Sequence, residues 1–352
     1  MSALANVAWA LICEAAGADS RLRHGRVPVP DPGAGEILVR VEFSGVNLPD
    51  LLMIGGRYQD RPAEPFVPGF EAAGEIVAIG EGVSGLAVGD RVAGLLAAGH
   101  GGYCEAAIMR ASDAVRLPAG MATATAAAFL TPYGTAWHAL VRRGRLQAGE
   151  RVVVLGSGGS VGLAALEICA ALGAPAIGVA GTDERLAASV AAGAAAVVDR
   201  RSGGLREAIG SLTDGKGADV CLDLVGGDAF DAMARSMAWG GRLLSVGYAS
   251  GRIPSLPANL AMLGGFDLIG CYWARSIALD PHAHQEDSTR LLALWARGSL
   301  APRIHAIFPL SEATKALDAL RRVEAVGKML LAMGATGDRS PGGFLTPAPG
   351  VA

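Results

Sequence analysis

The sequence predicts an α/β chain in two parts, a β-rich first third followed by a doubly wound parallel sheet. Three observations carry this prediction. Residues 1–125 read as short strands separated by Gly and Pro turns. From about residue 128 strands alternate with helices, and a glycine-rich turn, GSGGSVG at 156–162, stands between one strand and its helix. Turn-bounded strands argue for a β domain, and strand–helix alternation argues for βαβ units on a parallel sheet. A length of 352 residues favours two domains over one.

In the first part the clearest strands are 36–43 (EILVRVEF), 71–79 (EAAGEIVAI) and 90–93 (DRVA). In the second part strands are expected at 151–155, 176–180, 195–198, 218–222, 241–246 and 267–271. Helices fall between them at 161–172, 183–192, 205–212 and 229–237. Six strands at this spacing complete a doubly wound domain. Beyond 272 the pattern predicts a helix around 288–298, another at 311–324 and a strand at 328–333. The tail 335–352 is rich in small and turn-forming residues and is expected to be a mobile extension.

Composition narrows the function classes. Hydrophobic residues make up 51% of the chain and the net charge is −3, with no basic patch to suit a nucleic-acid partner. No apolar run reaches membrane-spanning length. The first residues lack a basic segment ahead of their apolar stretch, so no signal peptide is expected. Cys13, Cys104, Cys169, Cys221 and Cys271 are far apart and form no CxxC pair. That usage reads as reduced thiols in a cytoplasm, not a disulfide frame or a zinc cluster.

The glycine turn is the first motif that carries chemistry. A short apolar strand precedes it and the helix LAALEICAALGA follows. Glycine lets the backbone turn sharply and lets a pyrophosphate approach the main chain, while the helix N-terminus offers unpaired N–H groups to the phosphates. The GxGxxG frame is met with Ser157 at the first position and Gly159 and Gly162 at the others. Gly158, Ser160 and Val161 complete the cofactor-binding set at this turn of a Rossmann domain. The alternative is a structural turn with no cofactor.

The end of the second strand selects the cofactor. An acid there would bond the ribose 2′-hydroxyl of NAD. Here the strand ends in Ala180-Gly181, and Thr182 with Asp183 and Glu184 reads as the N-cap and first turn of the next helix. Gly181, Thr182, Arg185 and Arg200, with Arg201 nearby, are suited to a 2′-phosphate, which favours NADPH. DLVGG at 223–227, with Val225 and Gly226, ends the strand beside which an adenine ring usually lies. An ordinary strand-ending turn is the competing reading.

These residues bring a family into view. The chain resembles the zinc-free quinone oxidoreductase (zeta-crystallin-like) branch of the medium-chain dehydrogenase/reductase superfamily, from about 25 to 333. The most specific stretches are GVNLPDLLMIGGRY at 45–58, PGFEAAG at 68–74, GDRV at 89–92, LTPYGTA at 130–136 and GKM at 327–329. Ser160 departs from the glycine common in the branch. The resemblance implies a GroES-like β-rich catalytic domain at 1–128 and a Rossmann NADP-binding domain at 129–272. A completion of the catalytic domain is then expected at 273–334, with the active cleft between the domains. It also implies a homodimer, often formed through the last Rossmann strand, here 267–271.

The resemblance further implies that the catalytic zinc of related enzymes is missing. Asn47 stands at the Cys position, and Gly69-Phe70-Glu71 replaces the Gly-His-Glu motif. A catalytic zinc needs about three protein ligands. His282, His284, Glu286 and Asp287 are the other metal candidates, and a solvated loop is the more ordinary reading. Without a Lewis acid, the acceptor must delocalise the developing charge itself, as quinones and α,β-unsaturated carbonyls do.

By the resemblance the catalytic residues are Asn47, Tyr58 and Thr131. Asn47 would donate an amide N–H to the acceptor oxygen or the nicotinamide ribose. Tyr58 would donate its hydroxyl near the quinone, and Thr131 would contact the nicotinamide, with Tyr133 lining the cleft. Val246, Gly247, Tyr248 and Trp273 are expected near the nicotinamide, and Lys328 is expected to approach the cofactor from the second domain. Each has a structural alternative: Asn47 as a turn-former, Tyr58 as a packed aromatic. Asp50 reads as structural, because no second carboxylate is evident beside it, and His100 and His138 read as lone histidines. The leading expectation is an NADPH-dependent reductase of quinones. The alternatives are a reductase of activated C=C bonds in enones or enoyl thioesters, and a non-catalytic NADPH-binding protein.

Overall fold

In the computed structural model, residues 6–96 and 101–334 are described. The expectations for His100 and for the tail 335–352 lie outside them. The chain divides into two compact units, Met1–Thr131 with Ile304–Ala352, and Pro132–Arg303.

The first unit opens with β1 (Val7–Ala15) and β2 (Arg21–Pro28), an antiparallel pair. There follow β3 (Glu36–Val46), α1 (Leu48–Ile54), β4 (Glu71–Ile79), β5 (Arg91–Leu95), β6 (Ala106–Arg110) and β7 (Ala114–Arg116). Helix α2 (Thr123–Trp137) carries the chain across the division, with Pro132 inside it. In the second unit β8 (Val152–Leu155), β9 (Ala176–Ala180), β10 (Ala196–Asp199), β11 (Ala218–Asp223), β12 (Met237–Ser245) and β13 (Asp267–Gly270) are the strands. Its remaining helices are α3 (Ser160–Ala171), α4 (Asp183–Ala191), α5 (Leu205–Leu212), α6 (Gly227–Met233), α7 (Ala258–Gly264), α8 (Trp273–Leu279) and α9 (Pro281–Ala296). The chain returns to the first unit with β14 (Ile304–Pro309), α10 (Ala313–Arg321) and β15 (Lys328–Ala332).

The second unit's sheet runs β10-β9-β8-β11-β12-β13, every pairing parallel. This is the doubly wound order, with its switch point between β8 and β11, where such sheets bind ligands at the strands' carboxyl ends. β8 (VVVL) and β9 (AIGVA) are buried at every residue, as strands covered on both faces must be. Val153, Leu155, Val179, Cys221, Phe230 and Leu243 share one core.

In the first unit the sheet order is β14-β15-β3-β4-β5-β7, with β6 also on β3. Two registers matter for the site. Met329 pairs with Val46, which sets Lys328 against the end of β3. Phe43 pairs with Ala73, which brings the start of β4, Glu71, to the same end. No helix among the described residues is long and apolar enough to cross a membrane. All five cysteines are buried and free.

Three expectations need correction. The helix expected at 229–237 is Gly227–Met233, and Met237 instead opens β12 because it pairs with Ala218. Residues 273–303, expected to complete the catalytic domain, belong to the second unit. There the Trp273 indole packs onto Gly134 so closely that a Cβ on the glycine would stand 2.2 Å from it. The segment around His282 is helix, not loop: Asp280 caps α9 by accepting the Ala283 N–H. Two residues apart on a helix, the histidines diverge. His284 is buried edge-on against Trp273, while His282 lies on the surface beside Glu286.

Candidate functional site

The glycine turn joins β8 to α3, with Gly159 as the helix N-cap and no side chain capping it. Its three frame positions have distinct physical demands. A Cβ on Gly162 would stand 2.4 Å from the Gly156 carbonyl oxygen and 2.6 Å from the Ser157 Cα, so only glycine allows this helix to sit this close to the turn. A Cβ on Gly159 would meet nothing nearer than 3.6 Å, so packing does not require glycine there. Ser157, at the first position, turns its hydroxyl inward, 2.7 Å from that of Ser189. Gly178 provides the room, since a Cβ there would lie 3.0 Å from the Ser157 Oγ. The frame thus tolerates serine because β9 and α4 supply a glycine and a hydrogen-bond partner.

At the end of β9, the Arg200 side chain lies across Gly181, and a Cβ on the glycine would stand 2.3 Å from its Nε. No acid fits there while the guanidinium occupies that place. Burial, and then the neighbouring Arg200, push Arg185 below the usual arginine value. Two guanidiniums brought together favour a bound anion. Arg201 pairs with Asp183 and Asp199. Thr182 caps α4 by accepting the Arg185 N–H. After β11, the Asp223 Oδ1 accepts the Val225 and Gly226 N–H groups at 2.9 Å each, and Gly226 takes φ +68°. That loop abuts the glycine turn, because a Cβ on Gly156 would be 3.0 Å from Val225. Beyond β12, Val246 and Gly247 donate N–H bonds to the Asp223 carbonyl. Tyr248, half-exposed, lies beside Gly226. The turn, Gly181–Arg200, Val225–Gly226 and Val246–Tyr248 all follow the carboxyl ends of parallel strands. Trp273 is buried on Gly134 and His284.

In the first unit a second cluster forms around Glu71, which is 2% exposed. The Lys328 ammonium, also 2% exposed, donates to Glu71 Oε1 at 2.6 Å and to Asn47 Oδ1 at 2.5 Å. Asn47 Nδ2 donates to Glu71 Oε1 at 2.9 Å and to the Gly45 carbonyl at 3.2 Å. Thr131 Oγ1 donates to Glu71 Oε2 at 2.5 Å. Gly45 makes the assembly possible, because a Cβ there would stand 2.1 Å from the carboxylate. Deeper in, Asp50 accepts the Asn47 backbone N–H and the Tyr103 hydroxyl. Burial raises Asp50 to about 7, with Glu71 adding to the rise and the bonds from Asn47 and Tyr103 and the charge of Lys328 opposing it. Tyr58 packs edge-on against Phe70, centroids 5.2 Å apart. Among the described residues no group of His, Cys, Asp and Glu is arranged to hold a metal ion.

Asn47 and Thr131 are therefore together, with Glu71 between them. Lys328 is paired with a buried carboxylate in its own unit. Tyr133 belongs to the second unit, where its hydroxyl bonds Glu167. Glu71 as a hub and Tyr103 were missed by sequence reasoning. One signal for Glu71 was present: a lysine opening the apolar strand KMLLA needs a buried acid.

The family profile described as "Alcohol dehydrogenase GroES-like domain" matches residues 33–123, and that described as "Zinc-binding dehydrogenase" matches 160–293. The chain is 35% identical over 301 residues to a quinone oxidoreductase-like protein 2 homolog of Nematostella vectensis, covering 85% of this chain and 82% of that one. It is 36% identical over 312 residues to a mycocerosic acid synthase-like polyketide synthase of Mycobacterium tuberculosis, spanning 87% of this chain and 14% of the synthase. A solved mycobacterial protein complexed with NADPH matches with a TM-score of 0.85 at 28% identity, covering 92% of this chain and 99% of that one.

Proposed function

The chain belongs to the quinone oxidoreductase-like branch of the medium-chain dehydrogenase/reductase family, and from that premise we propose that it reduces quinones with NADPH and without zinc. The observation that carries the zinc-free reading is the Lys328 ammonium on Glu71 and Asn47, beside the positions where zinc-dependent members keep their ligands. A buried cation there opposes a second cation, and the Asn47 oxygen that a metal would need is engaged.

The residues present fit NADPH. The open face of Gly159 and the uncapped start of α3 suit a pyrophosphate. Arg200 across Gly181, with Arg185 beside it, suits a 2′-phosphate. Bound NADPH would supply the hydride. The chain's own part is positioning and hydrogen bonding, and in this reading Tyr58 donates to the acceptor oxygen. Without a Lewis acid, only an acceptor that spreads its own charge is reduced efficiently. A second reading is reduction of an activated C=C bond, because an enone or enoyl thioester also spreads the developing charge by itself.

A homodimer through β13 is part of the proposal. Among the described residues β13 pairs only with β12, and Leu268, Trp239, Met262 and Leu263 are exposed, Met262 and Leu263 at 70%. Apolar side chains around an open strand edge suit a partner copy. Five free thiols are consistent with a cytoplasmic home.

The test is NADPH oxidation with 1,4-benzoquinone, 9,10-phenanthrenequinone, an enone and crotonyl-CoA in parallel. Fastest turnover with a quinone is expected. Faster turnover with the enone or thioester would replace the quinone assignment, and NADPH binding without any turnover would leave a binding protein. Arg200→Ala should reduce the preference for NADPH over NADH, and equal binding of both by the parent would overturn the 2′-phosphate reading.

A further inference from the structure

We infer that Gly158 is a specificity-determining residue that acts through Arg185. Its missing side chain, with the Ser157–Ser189 hydroxyl pair, seats the first turn of α4 on the glycine turn and so sets the Arg185 guanidinium beside Arg200 for a 2′-phosphate. This rests on the NADPH reading above and concerns residues of the second unit alone.

Arg185 and Ser189 are four residues apart on α4 and so share one face of the helix. That face meets two consecutive residues of the turn. A Cβ on Gly158 would stand 2.5 Å from both the Cβ and the Cγ of Arg185, and 3.0 Å from its Cδ. These atoms are the root of the arginine side chain. No rotamer moves a Cβ, so α4 itself would have to shift to make room. Gly181 differs in kind. What a Cβ would meet there is the Nε of Arg200, towards the end of a flexible side chain that can swing aside.

The neighbouring serine holds the same contact, as a count of hydrogens shows. Ser189 Oγ donates its one hydrogen to the Arg185 carbonyl at 2.8 Å. The Ser157 Oγ, 2.7 Å from the Ser189 Oγ, is therefore the donor of that pair. Both serines are wholly buried, and Gly178 of β9 leaves room for both. The Ser157 N–H bonds the Val179 carbonyl at 3.1 Å. The turn, β9 and α4 thus hold one another, and the backbone of Arg185 is the last link.

The arginine seated in this way is half-buried, and burial and then the nearby Arg200 oppose its charge. With its stem on the turn, the guanidinium keeps that cationic neighbour. A phosphate dianion answers both charges, whereas NADH leaves them facing each other. A residue with no side chain of its own then decides whether the 2′-phosphate is read.

The test titrates the full chain with NADPH and with NADH by fluorescence, and takes the ratio of the two dissociation constants as the preference. Arg185→Ala should lower the preference by about tenfold, the order of one hydrogen bond to a charged group. Gly158→Ala should lower it by about fivefold or more. In the Arg185→Ala background the same change should lower it by less than about twofold, because the group through which it acts is gone. Ser189→Ala removes the acceptor of the Ser157 hydroxyl and should lower the preference by about threefold. A Gly158→Ala effect that adds in full to that of Arg185→Ala, or that weakens NADPH and NADH equally, overturns the inference. So does a preference unmoved by Arg185→Ala. If Gly158→Ala does not fold, as thermal melting would show, Ser189→Ala decides, and an unmoved ratio overturns the inference. A parent with no preference for NADPH would instead sink the 2′-phosphate reading beneath it.

Discussion

Asp50 shows how one side chain makes stability depend on pH. Its carboxyl is fully enclosed, bonded by Tyr103 and the Asn47 backbone, and raised from 3.8 to about 7. Between these values the unfolded chain carries the ionised form and the folded chain the protonated one. The folded state then binds the extra proton, so this group's stabilisation is full below about pH 4 and is lost as pH rises towards 7. Asp50→Asn should flatten that part of the melting-temperature profile, measured by calorimetry from pH 4.5 to 7.5. A slope equal to the parent's would show that the carboxyl does not titrate there. Tyr58, edge-on to Phe70, is the proposed donor to the acceptor. Tyr58→Phe should lower kcat by about tenfold or more while NADPH affinity changes less than about twofold. Loss of both in proportion would give the tyrosine a binding role instead.

At the scale of elements, the glycine turn separates two functions of the same residue type. Gly162→Ala would drive a Cβ into backbone 2.4 Å away, and a loss of about 1–3 kcal/mol is expected in denaturant unfolding. Gly159→Ala has room, so stability should shift by no more than about 0.5 kcal/mol. NADPH affinity should nevertheless fall about tenfold or more, because the new methyl would stand at the proposed pyrophosphate site. Equal affinity would move the pyrophosphate elsewhere. This part of the molecule was legible in the sequence, because β8, the turn and α3 are consecutive and the glycine spacing states the geometry. The strand 71–79 and the helix 205–212 were likewise legible from local pattern. What was not legible depends on distant partners. Ser157 looks like a flaw until Gly178 and Ser189 are seen to accommodate it. Met237 reads as helix until Ala218 claims it for a sheet. Lys328 and Glu71 are 257 positions apart, and no periodicity joins them.

For the whole molecule, the exposed edge of β13 leads to the expectation of a symmetric pair. Leu268→Glu should shift the sedimentation coefficient from dimer to monomer at micromolar concentration, without loss of melting temperature beyond that of the separated chains. A parent that sediments as a monomer would remove the interface from the proposal. The division at Thr131 and Ile304 assigns residues 132–303 to the sheet of the glycine turn and leaves β14, α10 and β15 with the β-rich unit. The returning strand is what delivers Lys328 to Glu71. A chain truncated before β15 would therefore lose the partner of a buried carboxylate as well as a strand.

The burial of every cysteine has a chemical consequence under the proposed quinone reduction. Quinones and enones are electrophiles that arylate or alkylate thiolates, so a reductase of such compounds works among reagents that attack its own side chains. Burial pushes Cys13 and Cys169 up to about 12 and Cys104 and Cys271 up to about 11, and holds Cys221 well above the ordinary thiol value. At neutral pH almost none of the reactive thiolate form is present. The folded chain should remain unlabelled by iodoacetamide, or by excess benzoquinone, over the time of an assay. The same chain in denaturant should take up five equivalents, read by intact-mass spectrometry. Rapid labelling of the folded chain would show that one of these thiols is reached from solvent. If quinones are its substrates, as proposed, burial would spare the protein's thiols from the compounds it turns over.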